Sequence, residues 1–61
     1  MKSDELLNLL LKSGWVETRQ RGSHKILKKR GIQEIIIFPY HKSKEVPTGT
    51  ANSILKKAGL K

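Results

Sequence analysis

Neither a disulfide nor a thiolate-bound metal can stabilise this chain, because none of its 61 residues is a cysteine. A domain this short buries only about 60 % of the surface that its unfolded chain exposes, and small domains often need a crosslink or a partner subunit. The two histidines, His24 and His41, are too few for a zinc site without sulfur ligands. We therefore expect one domain over residues 1–61, held together by apolar packing, with no metal site and no cofactor.

The first element indicated by the sequence is a helix of about three turns. Ser3 stands in an N-cap position, with two acidic residues in the following turn, where the helix dipole favours negative charge. Leucines recur at spacings of three and four, which predicts a broad apolar helix face; these are Leu6, Leu7, Leu9, Leu10 and Leu11. Gly14 is placed to end the helix as a C-terminal glycine.

Three strands are predicted to follow, at residues 15–20, 24–29 and 32–38. The first alternates between two faces, with Trp15, Glu17 and Arg19 on one and Val16, Thr18 and Gln20 on the other. Arg21, Gly22 and Ser23 indicate the turn between the first two strands, and Arg30-Gly31 indicates the second turn. The run Ile35–Phe38 is continuously apolar, which is typical of a strand in the middle of a structure, and Pro39 is expected to end it.

A second helix is predicted after the lysine-containing segment 40–46. Pro47–Thr50 offers capping residues, and Gly59 with Leu60 fits a Schellman ending. The apolar positions at helical spacing are Ala51, Ile54, Leu55 and Ala58. The expected fold is α+β with the order α-β-β-β-α, a three-stranded antiparallel sheet carrying two helices on one face. Double-stranded-RNA-binding domains share this order, although order alone does not determine function.

Charge is the first indication of function, since the chain has a formal net charge of +8 and a pI near 10.2. Six cations and no acidic residue lie between Arg19 and Arg30. Such a cluster favours phosphate backbones, although a solvated surface, an acidic protein or an anionic membrane would also explain it. Asp4 and Glu5 stand where a signal peptide would be cationic, and no apolar run approaches a membrane span. We therefore expect a cytoplasmic protein whose partner is RNA.

A search for catalytic groups leaves one candidate, His24. The sequence has no phosphate-binding loop, no dinucleotide fingerprint and no carboxylate pair at acid–base spacing. RNA carries its own nucleophile, the 2′-hydroxyl, so cleavage needs a proton acceptor and nearby positive charge. A histidine can accept that proton near neutral pH. The alternative is a surface histidine at the start of a strand, beside a glycine that the turn requires.

Several segments, in this order and spacing, resemble the HicA family of toxin–antitoxin mRNA interferases over almost the whole chain. The most specific is the basic turn Arg19–His24, which ends in Gly-Ser-His. The other matching segments are Met1–Leu7, Ser13–Trp15, Pro39–His41, Val46–Thr50 and Ser53–Leu60. Two departures from the family pattern are Lys25-Ile26-Leu27 after the histidine and Ala51-Asn52 in the last helix, where relatives often carry Leu-Arg.

The resemblance implies a fold similar to the double-stranded-RNA-binding domain, metal-independent endoribonuclease activity on mRNA and a HicB-type antitoxin as partner. It also implies that His24 is the catalytic residue. The residues expected to contact RNA come from the basic stretch and its signature turn: Arg19, Arg21, Gly22, Ser23, Lys25 and Lys28. Of these, Arg21 and Lys25 are expected to hold the phosphate.

Two other readings remain open at this point. The chain could be a non-catalytic RNA-binding module, or a protein-binding piece whose basic face docks an acidic partner. A lysine-rich entry to the last helix, expected of a true double-stranded-RNA-binding domain, is missing from residues 47–52. We expect His41 to order its loop, the alternatives being a second acid–base group or a phosphate contact. We expect Trp15 to pack between helix and sheet, the alternative being stacking on an RNA base, while the role of Tyr40 is open.

Overall fold

The computed structural model describes all 61 residues and contains two helices and three strands. These are α1 (Ser3–Lys12), β1 (Val16–Arg21), β2 (His24–Lys28), β3 (Ile36–Pro39) and α2 (Thr48–Lys57). The order α-β-β-β-α and the antiparallel pairing of both strand pairs confirm the predicted α+β class. Neither helix is long and apolar enough to cross a membrane.

One apolar core lies between the helices and one face of the sheet. The sheet contributes Leu27, Ile36 and Phe38, which share a face because Leu27 pairs directly with Ile36 and Phe38 lies two residues from Ile36 on β3. The other members come from the helices and the flanking segments: Leu6, Leu7, Leu10, Trp15, Val46, Ala51, Ile54 and Ala58. Both helices therefore cover the same face of the sheet, as predicted. Leu9 and Leu11 lie outside this core and are 37 % and 40 % exposed.

The start of α1 differs from the prediction at Ser3. The N-cap residue is Lys2, and Ser3 is the first helical residue, buried to 1 % exposure. Its hydroxyl accepts a hydrogen bond from the His41 backbone N–H at 3.1 Å and lies 3.5 Å from the Pro39 carbonyl oxygen. Ser3 thus connects the helix to the segment after β3 instead of capping its own helix. Its backbone N–H donates to the carbonyl oxygen of Lys44 at 2.9 Å.

Gly14 ends α1 in a left-handed conformation, with φ +102°. The Gly14 N–H donates to Leu11 O and the Trp15 N–H to Leu10 O, which is the bonding pattern of a Schellman motif. This ending turns Trp15 into the core, so β1 begins one residue later than predicted. The Trp15 indole N–H is buried without a hydrogen-bond partner, so the residue contributes through packing, as expected.

The third strand, predicted to be buried in the middle of the structure, is buried on one face only. The strand order is β1-β2-β3, so β2 is central and β3 is an edge strand. It also begins at Ile36 instead of Ile32, and Ile37 points away from the core with 56 % exposure. A short apolar run does not reveal which of its residues alternate to the covered face, and here only the helix-covered face is buried.

The helix α2 begins after Pro47, and no side chain forms a hydrogen bond that caps it. The threonines of segment 47–50 therefore do not act as caps. At the other end, the Gly59 N–H donates to Lys56 O and the Leu60 N–H to Leu55 O, which confirms the predicted Schellman ending.

Candidate nucleic-acid interface

A two-residue hairpin places His24 at the start of the central strand. Arg21 and His24 are the last pair of the β1–β2 ladder, and Gly22 and Ser23 connect them. Gly22 has φ +59° whereas Ser23 does not have a positive φ, which is the pattern of a type II′ turn with glycine at its first central position. Arg21, predicted to lie in the turn, is therefore the last residue of β1.

The third strand supports His24 from the other side. His24 pairs with Pro39, and the Tyr40 N–H donates to the Ser23 carbonyl oxygen at 2.7 Å. The backbone of the Ser23–His24 segment is thus held by both neighbouring strands, while the His24 side chain is exposed. A fixed backbone with a free imidazole is suited to a group that meets a ligand from solvent.

The strand register defines which residues share a face with His24. Directly paired residues lie on the same face of a sheet, and residues two apart on a strand do so as well. The face turned away from the helices, here called the outer face, carries Val16, Arg19, Arg21, His24, Ile26, Lys28, Ile37 and Pro39. Three of the predicted RNA-binding residues therefore share a face with the predicted catalytic histidine: Arg21 is its direct partner, and Arg19 and Lys28 lie further along.

A β-bulge between Glu17 and Arg19 produces this grouping. Glu17 pairs with Leu27 and faces the helices, but Arg19 pairs with Ile26 because Thr18 is the extra residue. Without the bulge, Arg19 would pair with Lys25 and face the helices. The predicted alternation, which placed Glu17 and Arg19 on one face, is therefore wrong, and all six residues of β1 are exposed.

The outer face is cationic and has no acidic residue. Arg19, Arg21 and Lys28 provide the positive charge, and the single carboxylate of the sheet strands, Glu17, lies on the opposite face. Cations on a surface without carboxylates attract phosphate groups without internal competition. The positive charges on β1 and β2 therefore suit this face to binding a polyanion.

Lys25 is not on this face, although it was predicted to hold the phosphate. Its ammonium lies 3.1 Å from both carboxylate oxygens of Glu17 and 3.0 Å from the Gln20 amide oxygen. It also lies 4.7 Å from the centroid of the Tyr40 ring, a cation–π contact. The side chain is only 13 % exposed, so Lys25 organises the helix-covered side of the hairpin.

His41 lies elsewhere, at a pocket of about 230 Å³ where α1, the segment after β3 and the start of α2 meet. Ser3, Lys44 and Thr50 also line this pocket. The His41 backbone N–H donates to the Ser3 hydroxyl oxygen, a contact that does not involve the imidazole, so the loop-ordering role stays a prediction. No group of three or more histidine, aspartate and glutamate side chains is placed to hold a metal ion.

Sequence reasoning missed the apolar residues of the outer face. Val16 and Ile37 are 59 % and 56 % exposed, and Ile26 is half-buried between the flanking strands. The alternation along β2 could have predicted the position of Ile26. Alternate residues of a strand share a face, so Ile26 lies on the same face as His24 and Lys28, opposite Lys25 and Leu27. The exposure of Val16 and Ile37 depends on which face the helices cover.

Comparison with known protein families gives one match along nearly the whole chain. The model of a family described as the HicA toxin of bacterial toxin–antitoxin systems matches residues 3–60. A search of curated proteins finds no match. The family match covers every helix and strand and includes all residues of the outer face.

Proposed function

The chain belongs to the HicA toxin family of bacterial toxin–antitoxin systems, and on this basis we propose that it is a metal-independent endoribonuclease that cleaves mRNA. Family membership gives the chain a toxin role and implies an antitoxin partner. The observation that carries the proposed activity is the outer face, where His24 stands among Arg19, Arg21 and Lys28 with no acidic residue.

The proposed reaction uses the 2′-hydroxyl of RNA as its nucleophile. The neutral His24 imidazole accepts the proton from this hydroxyl while its oxygen attacks the neighbouring phosphorus. The bond from phosphorus to the 5′-oxygen breaks, the departing oxygen takes up a proton from solvent, and the protonated imidazole then returns its proton to solvent. The expected products are a 2′,3′-cyclic phosphate and a 5′-hydroxyl end, without consumption of water in this step.

The cations of the outer face supply the electrostatic part of the proposal. Arg21 is the direct cross-strand partner of His24, and Arg19 and Lys28 lie further along the same face. Negative charge accumulates on the phosphoryl oxygens in the transition state, and pre-placed guanidinium groups stabilise it. Gly22 and Ser23 form the turn beside the histidine, where the backbone is open to an approaching phosphate: no atom lies within 4 Å of a Cβ built on Gly22.

A HicB-type antitoxin is the proposed protein partner. A negatively charged protein surface would complement the outer face and cover His24, so the bound toxin would be inactive. An mRNA substrate also implies action in the cytoplasm. The neutralised complex is expected to regain activity when the antitoxin is degraded, which can be followed by RNA cleavage during limited proteolysis of the complex.

The first experiment compares the wild-type chain with His24→Ala on a defined single-stranded RNA in the presence of EDTA. The matched control is His41→Ala, which removes the second imidazole from a different part of the molecule. Wild type and His41→Ala should cleave the RNA, and His24→Ala should lose at least about a hundredfold in rate, the usual contribution of a general base. Since His24 is exposed, circular dichroism should show all three proteins equally folded.

Different results would exclude different parts of the proposal. Loss of cleavage in EDTA would exclude the metal-independent mechanism. RNA that is bound but never cut by wild type would indicate the non-catalytic RNA-binding module. Equal cleavage by wild type and His24→Ala would remove His24 from the reaction.

A further inference from the structure

An apolar strip crosses the outer face beside His24, and the proposed mechanism does not use it. Ile26 and Ile37 are direct cross-strand partners, and Ile37 is 56 % exposed. Val16, 59 % exposed, lies diagonally from Ile26 at the next pair on this face. Single exposed apolar residues are ordinary, but adjoining ones on one sheet face mark an interaction surface.

Beside His24, charge and apolar surface are separated across this face. Both arginines lie on β1, whereas Ile37 lies on the opposite edge strand, and β2 between them carries His24 and Ile26. Val16 and Lys28 form the pair at the far end of the face. His24 and Ile26 are two residues apart on one strand, which places their Cα atoms about 6.6 Å from each other. A nucleotide has the same division, with an anionic phosphate on one side and a flat, largely apolar base on the other.

Building on the proposed function, we infer that Ile26 and Ile37 bind the bases of single-stranded RNA next to the cleaved phosphate. Bases in a duplex are stacked inside the helix, so only an unpaired strand can lay a base against these isoleucines. The aromatic residues cannot replace them, since Trp15 and Phe38 are buried and Tyr40 packs against the core. The contact is therefore aliphatic and tolerates different bases.

The position of the strip favours RNA over a protein partner as its occupant. An RNA whose phosphate contacts His24 and Arg21 can lay a neighbouring nucleotide over Ile26 and Ile37, because these residues adjoin the histidine on the same face. The strip thus lies within reach of the proposed substrate. The arginines beside the strip would bind the phosphates of the RNA and so position its bases over the isoleucines.

The test measures RNA binding in a His24→Ala background, in which the RNA stays intact. Ile37→Thr keeps a β-branched residue on the strand but replaces an ethyl group by a hydroxyl. It is expected to bind single-stranded RNA roughly tenfold more weakly, the loss from about two buried carbon groups. Ile32→Thr is the matched control, since Ile32 is 38 % exposed and lies outside the strands. Removing the bases, by using an RNA with abasic nucleotides, should lower the affinity of the His24→Ala protein. It should lower the affinity of the protein that also carries Ile37→Thr much less.

Two results would overturn the inference while leaving the proposed function intact. The first is equal affinity of the Ile37→Thr and Ile32→Thr proteins for single-stranded RNA, which would indicate that the strip binds a protein partner. The second is equally tight binding of a fully paired duplex of the same sequence. The proposed function is tested separately, by comparing RNA cleavage by the wild-type chain and by His24→Ala. Ile32 and Ile37 are unchanged in both of these proteins.

Discussion

At the scale of single residues, two lysines of β2 have different surroundings. Lys25 is 13 % exposed in its side chain and contacts Glu17, Gln20 and the Tyr40 ring. Lys28 lies three residues further along, on the outer face, and is exposed. An ammonium with three internal partners is not free to bind phosphate, whereas an exposed one is.

Exchanging each lysine for methionine should therefore affect different properties of the protein, stability for Lys25 and RNA binding for Lys28. Lys25→Met leaves the Glu17 carboxylate without its cation and should lower the free energy of unfolding by about 1 kcal/mol. Lys28→Met should leave stability nearly unchanged but weaken RNA binding. Urea unfolding and RNA titration of both variants check this. A Lys25→Met protein of normal stability that binds RNA as weakly as Lys28→Met would contradict the assigned contacts.

At the scale of elements, the β1–β2 hairpin determines the site. The type II′ turn at Gly22 sets the pairing of Arg21 with His24, and the bulge at Thr18 moves both arginines of β1 onto the outer face. The Cβ position of Gly22 has no neighbour within 4 Å. A side chain there would meet backbone strain and no steric clash.

Gly22→Ala should therefore destabilise the chain by about 1–2 kcal/mol, the cost of a left-handed conformation for an L-residue. Gly49→Ala is the matched control, because Gly49 lies in the first turn of α2 with ordinary φ and the same open space. It should be neutral or stabilise the chain, since alanine is the better helix former. Thermal unfolding measures both changes. Equal destabilisation by the two variants would show that the strained turn is not the cause.

At the scale of the whole molecule, the position of the charge decides its effect. The net charge is +8, but some cations lie far from His24 along the chain, among them Lys56 and Lys57 in the last turn of α2. These lysines complement the helix dipole. The cations of the outer face have no such structural role, and they are the ones that should release counterions from bound RNA.

Arg21→Gln and Lys57→Gln lower the net charge equally, so together they separate position from total charge. Arg21→Gln should weaken RNA binding and reduce the slope of log affinity against log salt concentration by about 0.7, the value for one contact to a single strand. Lys57→Gln should leave that slope unchanged. Fluorescence anisotropy between low and moderate salt measures both. Equal slopes for the two variants would mean that net charge alone drives binding.

Much of the architecture follows from local sequence patterns. Leucine spacing, the glycines after both helices and the Gly-Ser turn predicted five elements in the right order, with the bounds of β1 and β2 correct to about one residue. Each of these signals acts between residues close in the chain: helix periodicity, a positive φ at a glycine, or a two-residue turn. His24 was also singled out from its neighbours alone, and its catalytic role remains a prediction.

Tertiary structure decided which side of the sheet each residue occupies. One bulge reversed the faces of the residues that follow Glu17, so that Arg19 joined His24 while Lys25 remained beneath the helices. Ser3 became a buried link because the segment after β3 returns to the start of α1. Such outcomes depend on contacts between distant segments and on the face that the helices cover. The sequence by itself therefore determined the order of the elements, and packing determined the surface on which His24 stands.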